Sequence, residues 1–431
     1  MWRPESAPPE GETGQLPGAS PGLDGVRVAP GPAWGRLALG AWLLVILLAT
    51  LSPGSWTQTQ GRPPGLDGRF ADVLLNLALF APFGAALGSR GRSGAHVLVI
   101  ATLLSGAVEL AQLWIPGRVA GVSDVLVDAI GALAGWAIWR TSPVWAAPSP
   151  RAGRRFVMAA ALGAGIVVAA TGLLLEPAFP PYPYYGHWTP EFGRQPIYQG
   201  RVIEASAGSA SIPSGLIPNF LEVRGQLLAG GPLRVRAIAG PHGTGLAPIL
   251  SINDYQRELL LLGADGDALV YRFRTLGMSL GLDSPELRVP GALANVGAGD
   301  AFAVVVKPDR HGYCVELNGA ATCGVGFTAG MGWALLMYGQ GIPRAIDRIL
   351  SVLWMAGLAF PVGYYLRSNW PSRLALVLLF GGVVAIPAVV GLVPTPPGEL
   401  GAVLAGLVVG VGLRRRRLVP GTFLSHRGRE R

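Results

Sequence analysis

Eight stretches of this chain, beginning near Leu37, Ala71, His96, Val122, Arg155, Ala345, Leu374 and Leu400, are apolar over the span of roughly 17–25 residues that a bilayer-crossing helix needs. Lipid offers the backbone no hydrogen-bond partner, so only helices and closed barrels cross it. Runs of this length therefore commit the chain to helices. Composition agrees: of 431 residues, 50% are hydrophobic and only 14% charged, and the mean hydropathy is +0.43. That is too apolar for an ordinary soluble protein of this length and implies a polytopic membrane protein. The net charge of +9 would suit nucleic acid, but the basic residues stand at the ends of apolar runs and in short tails. Without an interleaved aromatic patch no nucleic-acid partner is expected, and the lipid bilayer is the expected one. Lysine occurs once, at Lys307, and the abundance of Arg, Gly, Ala and Pro reads as a GC-rich bacterial coding bias.

The order of the runs divides the chain. Residues 1–36, rich in Pro, Gly and Ser, cannot bury enough apolar surface to fold alone and read as a disordered tail. Four helices follow over 37–142, a fifth over 155–178, three more over 344–417, and a short tail over 418–431. Arginines cluster in alternate connections: Arg90 and Arg92; Arg151, Arg154 and Arg155; Arg367 and Arg373; Arg414 to Arg417. Positive-inside orientation then places both termini in the cytoplasm of a bacterial inner membrane, with the last arginine run against anionic inner-leaflet lipids. No cleavable signal is evident, because the first apolar run follows a long tail and no small-residue cleavage site follows it.

Residues 179–343 have a different texture. Short alternating stretches, such as Leu233 to Ile238, Leu269 to Phe273 and Phe302 to Val306, are separated by turn signals at Gly230 and Gly231, Asp265 to Asp267, Asp309 to Gly312, and Asn318 and Gly319. This spacing predicts an extracytoplasmic all-β jelly roll or sandwich. The fold class expected is thus a polytopic α-helical membrane protein with an inserted β-domain. A two-residue turn at Asn318 and Gly319 sets Leu317 opposite Ala320 and hence Cys314 opposite Cys323. A disulfide between them is expected, which suits an oxidising outer compartment. Tyr182, Tyr184, Tyr185 and Trp188, just after the fifth helix, suit an interfacial aromatic belt. The Asp265, Gly266, Asp267 sequence reads as a turn, since it lacks the longer ligand pattern of a calcium loop.

Glu109 and Gln112 lie inside an apolar run, and Asp124 and Asp128 open the next, just beyond Arg118. Ionisable groups at membrane depth are costly unless they face protein, water or a partner, so a cluster of them marks a candidate site. The spacings i, i+3 and i, i+4 put each pair on one helix face. Glu109 reads either as a proton acceptor beside an orienting Gln112 or as a carboxyl that hydrogen-bonds a neighbouring helix. Arg118 can grip a phosphate or carboxylate bidentately. Asp124 and Asp128 either complete an acid/base site, or Asp124 caps the fourth helix and pairs with Arg118. With no His or Cys among them these residues make a poor metal site, and neither metal nor cofactor is expected. Asn76 can reach toward the cluster, Pro82 and Gly84 shape the second helix, and Gly131 with Gly135 forms a small-residue packing face. Gly-rich phosphate loops, nucleophile elbows and Cys-x-x-Cys pairs are missing from the sequence, which excludes familiar ATPase, serine hydrolase and zinc-enzyme motifs.

These motifs, in order, resemble the VanZ-like family of bacterial membrane proteins: Ser52 and Pro53; Asn76 with Phe80 to Gly84; Glu109 to Gln112 with Ile115 to Arg118; Ser123 to Asp128 with Gly131 and Gly135. Asp128 departs from the family pattern, which more often has Asn there. The β-segment is similar to concanavalin A-like or laminin-G-like domains, notably over Ile249 to Asp254, Leu269 to Arg272 and Cys314 to Phe327. The resemblance implies an accessory protein of the cell envelope in glycopeptide (teicoplanin-type) resistance. Its outer domain would bind a glycan or a partner. The alternative is an integral-membrane enzyme acting on a lipid-linked precursor through the carboxylates.

Overall fold

A computed structural model describes residues 32–52, 69–115, 120–192, 195–255, 257–337 and 342–418. But for 32–36 and 418, the expected tails lie outside the described residues, as does Arg118. The first bundle comprises α1 (Pro32–Leu51), α2 (Phe70–Ser89), α3 (Gly94–Gln112) and α4 (Val122–Arg140), followed by a short α5 (Ser142–Ala146) and by α6 (Pro150–Leu174). After the β-domain come α9 (Arg344–Tyr365), α10 (Trp370–Val389) and α11 (Pro397–Leu418). Seven of these helices are long and apolar enough to span a membrane, and α1 contributes a shorter apolar stretch, Leu39–Leu51. All eight expected runs are thus helical. Several begin earlier than their apolar content suggests, because a capping side chain extends them into polar sequence. Ser149 accepts the Ala152 N–H at 3.3 Å to start α6, and Asn369 accepts the Ser372 N–H at 3.0 Å to start α10.

Helix pairs in lipid associate by close packing, which favours small residues at the contact. In α2 and α4 the approach is so tight that a Cβ at Gly84 would stand 1.8 Å from the Ala132 carbonyl oxygen, and one at Gly135 1.7 Å from that of Ala81. At Gly131 a Cβ would come within 2.9 Å of the Leu77 backbone. The pair α9 and α11 repeats this register: Gly363 packs on the Leu407 backbone, Gly406 on Ala356 and Gly410 on Phe360. Pro82 in α2 and Pro361 in α9 hold matching positions, two residues before Gly84 and Gly363. The expected fifth helix does not stand apart from a three-helix anchor. Instead α6 packs against α9 and α10, with Gly172 closed on Val390. The result is a second four-helix bundle in which α6, α9, α10 and α11 follow the order of α1 to α4.

Between α6 and α9 lie two six-stranded antiparallel sheets. The strands are β1 (Tyr184–Trp188), β2 (Arg201–Ala207), β3 (Ala210–Ser211), β4 (Gly215–Ile217), β5 (Leu233–Ile238), β6 (Leu246–Asn253), β7 (Glu258–Asp265), β8 (Ala268–Phe273), β9 (Leu287–Val289), β10 (Ala301–Asp309), β11 (Gly312–Leu317) and β12 (Ala320–Val325). Their orders are β4-β1-β6-β7-β8-β9 and β12-β11-β10-β5-β2-β3. The domain also holds α7 (Phe220–Leu228), α8 (Leu276–Ser279) and a 3₁₀ turn at Ala329–Leu335. The core between the sheets includes Ile249, Leu260, Leu262, Val235, Phe302 and Val304. In β5 buried and exposed residues alternate, as for a strand with one wet face. β6 and β7 are buried almost throughout, because Phe192 and its neighbours Leu246, Leu261 and Val270 form a small cluster on the second face.

The β11–β12 hairpin turns at Asn318 and Gly319, both at positive φ, with Leu317 opposite Ala320. The expected Cys314–Cys323 disulfide is present. Asp265 closes the β7–β8 hairpin opposite Ala268, and its carboxylate takes the Gly245 N–H at 3.1 Å and the Arg288 guanidinium at 2.5 Å.

The β-domain is stitched to one end of both bundles. Arg69, preceding α2, pairs with Asp283 at 2.7 Å, and the Ala71 N–H reaches the Gly281 carbonyl at 3.2 Å. On the second bundle, Glu399 of α11 is buried and accepts the Thr328 hydroxyl at 2.5 Å and the Gly330 N–H at 2.9 Å. At the opposite end the α5 segment ties the bundles, with the Tyr364 and Tyr365 hydroxyls donating to the Ala146 and Trp145 carbonyls at 2.6 and 2.9 Å.

Candidate functional site

The up-and-down order of α1 to α4 brings four helix ends together beneath the β-domain: the last turns of α1 and α3 and the first turns of α2 and α4. α3 contributes one polar stripe, Ser105, Glu109 and Gln112, whose i, i+4, i+7 spacing keeps them on one face. Ser105 and Gln112 are buried, and Glu109 is half-buried. α4 contributes Asp124 in its first turn, half-buried, and Asp128 one turn deeper, 5% exposed. Asp124 is not the cap of α4. Gly121 holds that position in extended conformation, and Asp124 sits three residues inside, bonded weakly to Ser123 at 3.4 Å.

Each polar group has a specific place. The Ser105 hydroxyl donates to Asp128 Oδ2 at 2.6 Å, whereas Asp128 Oδ1 is buried with no hydrogen-bond partner among the described residues. Glu109 Oε2 accepts the Gly121 N–H at 2.6 Å, fastening the end of α3 to the start of α4. Gln112 donates to the Thr50 carbonyl at 3.1 Å, fastening α3 to α1. The carboxylates lie within electrostatic range of one another, Asp128 of both Asp124 and Glu109, and Asp124 of Asp72 in the first turn of α2.

The structure therefore brings together Glu109, Gln112, Asp124 and Asp128. Asn76 is half-buried in α2, one turn beyond Asp72, and no hydrogen bond from its amide to the cluster is found among the described residues. Pro82 and Gly84 lie deeper in α2, and Gly84, Gly131 and Gly135 line the α2–α4 contact. Among the described residues no group of acidic, His or Cys side chains has the geometry to hold a metal ion.

Sequence reasoning missed Ser105, Asp72 and Thr50. Ser105 had a readable signal, since it stands one helical turn before Glu109. Asp72 had one too, since it begins an apolar run one turn before Asn76. Thr50 takes part through its backbone carbonyl, which no sequence letter reveals.

A cluster of carboxylates bonded to a hydroxyl and a backbone N–H, with an amide beside it, at the β-domain ends of four apolar helices, is set out in the same order as the motifs of one known family. Residues 37–145 match the family model of VanZ/LLP1. No curated protein and no solved structure matches the chain at a significant level. The matched VanZ/LLP1 region runs from within α1 into α5 and contains every residue of the acidic cluster. The second bundle lies outside the matched residues. It keeps the glycine register of α2 and α4, and carries Glu399 seven residues before Gly406, the spacing that separates Asp124 from Gly131.

Proposed function

We propose that this is a multi-pass protein of the bacterial cytoplasmic membrane whose VanZ/LLP1 domain holds the polar part of a lipophilic envelope molecule at its acidic outer end. In that role it acts as an accessory factor that alters the access of teicoplanin-type glycopeptides to their target. The observation that carries this reading is Asp128. A carboxylate oxygen buried without a partner inside a helical bundle costs stability, and such a cost is typically tolerated where a ligand or proton supplies the missing partner. The complement to an acidic cluster with a hydroxyl and an amide beside it is a cationic or hydrogen-bond-donating group, such as the amines and amides of a glycopeptide or of a peptide-bearing precursor.

Orientation follows from charge. Arg90, Arg92, Arg140, Arg154, Arg367 and Arg414 all stand at the helix ends opposite the β-domain. Positive-inside orientation makes that end cytoplasmic and puts the β-domain, with its disulfide, outside. There it serves as a concanavalin A-like glycan- or partner-binding module above the bundle. The divisions at 37–142, 179–343 and 344–417 belong to this reading.

A second reading is favoured by the 2.6 Å bond from Ser105 to Asp128. A hydroxyl donating to a buried carboxylate is the arrangement of a nucleophile with its general base, which suits an integral-membrane enzyme on a lipid-linked substrate. Both readings are tested in a deletion strain complemented with wild type, Asp128→Asn, Ser105→Ala or a chain lacking the β-domain, scored for glycopeptide susceptibility and envelope-lipid profile at equal membrane abundance. The accessory role expects Asp128→Asn to lose rescue and Ser105→Ala to keep much of it. Equal loss in both, with an accumulating lipid precursor, identifies the enzyme. Full rescue by Asp128→Asn overturns both.

A further inference from the structure

A cavity of about 270 Å³ opens at the foot of the β-domain, lined by Phe179, Pro180, Arg224, Leu228, Arg274 and Ser279. Arg274 is only 8% exposed, yet its Nε has no hydrogen-bond partner among the described residues. Leaving a buried guanidinium N–H without an acceptor is costly, and an anion in the cavity can complete it. Burial, and then the like charge of Arg257, hold the Arg274 guanidinium below its ordinary range, while Asp254, Tyr182 and Tyr184 act weakly the other way. Arg224 reaches the same cavity from α7, held by its Nε–H to the Phe179 carbonyl at 2.7 Å. Among the described residues that is the one hydrogen bond of the Arg224 side chain, which leaves its terminal nitrogens to face the cavity.

The cavity lies at the end of the β-domain that meets the helices. Its Ala178 wall follows α6 by four residues, and Ser279 precedes by two the Gly281 carbonyl that binds the first turn of α2. Around it Tyr182, Leu228, Leu276 and Leu280 are exposed, an apolar and aromatic rim of the kind that seats in the lipid interface.

We propose that this cavity is a phosphate site, in which Arg274 and Arg224 hold the anion between two guanidinium groups and the Ser279 hydroxyl stands beside it. Guanidinium forks match phosphate oxygens bidentately. The shared chemistry is a phosphate group, supplied either by a phospholipid headgroup at the outer membrane surface or by free phosphate. The site is separate from the acidic cluster and does not depend on the function assigned to that cluster.

The test uses full-length protein, delipidated in detergent and titrated with three probes by native mass spectrometry: phosphatidylglycerol, diacylglycerol with the same tails, and inorganic phosphate. Phosphatidylglycerol is expected to bind, and Arg274→Gln and Arg224→Gln to weaken it at least about tenfold, as loss of a charge-assisted pair does. Arg274→Lys, which keeps the charge without the fork, is expected to fall between. Binding of inorganic phosphate that the same variants weaken equally supports the site and identifies free phosphate as its source. If Arg274→Gln does not accumulate, Arg224→Gln, on a half-buried helix residue, carries the comparison. Diacylglycerol binding as well as phosphatidylglycerol, or both glutamine variants retaining wild-type affinity, overturns the proposal.

Discussion

Side-chain volume at single glycines sets the first bundle. A Cβ at Gly135 meets the Ala81 carbonyl oxygen, while Gly106 on α3 has nothing within 4 Å. Gly135→Ala is therefore expected to destabilise by about 1–3 kcal/mol through overpacking. Gly106→Ala should stabilise slightly, by up to about 1 kcal/mol from helix propensity. Thermal unfolding of the two variants in one detergent checks the pair, and equal effects would sink the close-packing explanation. At this scale the sequence was legible wherever a charged letter interrupts an apolar run, as Glu109, Asp124 and Asp128 do. It was not legible for partners that act through backbone atoms, such as Thr50 and Gly121, nor for the common hydroxyl of Ser105. The exchange of Asp124 for Gly121 as cap has a similar origin: Asp is a good cap by type, but glycine can take the extended cap position, leaving Asp124 to face the cluster.

Among the elements, the β11–β12 hairpin shows how a short pattern can specify a tertiary contact. The turn residues fix the register, the register fixes the cysteine pair, and β12 is otherwise an exposed edge strand with little burial to hold it. Replacing both cysteines by serine is expected to cost about 2–3 kcal/mol by loop entropy alone. The cost should appear as early, local loss of protection of Ala320–Val325 in hydrogen exchange, while β6 and β7 remain protected. Uniform loss across the domain would show instead that the bridge supports the whole sandwich. Helices were read correctly by length and apolarity, but their starts were not, because Ser149 and Asn369 extend them into polar sequence. β6 and β7 lack alternation since both their faces are covered, and only the turns around them mark them as strands. The partnership of α6 with α9, α10 and α11 spans the whole β-domain in sequence, and no local signal announces it.

In the whole molecule, the β-domain rests on two bundles of the same helical plan, and a buried carboxylate on the last helix of each is treated differently, Glu399 on α11 and Asp128 one turn deeper on α4. Glu399 has both oxygens satisfied by Thr328 and Gly330 and so fastens the domain to the second bundle. Glu399→Ala leaves the buried Gly330 N–H and the half-buried Thr328 hydroxyl without their acceptor and is expected to cost about 1–3 kcal/mol, read as a lower unfolding midpoint. Asp128 has one oxygen satisfied and one not. A residue kept for packing would stabilise the bundle, whereas a residue kept for a ligand would be a burden on the ligand-free protein. The decisive measurement is the thermal unfolding midpoint of ligand-free Asp128→Asn beside wild type and Glu399→Ala. A midpoint equal to or above that of wild type is expected if the acidic end of the VanZ/LLP1 domain is a binding site. A fall as large as that of Glu399→Ala would contradict it and make Asp128 part of the bundle's structural polar packing.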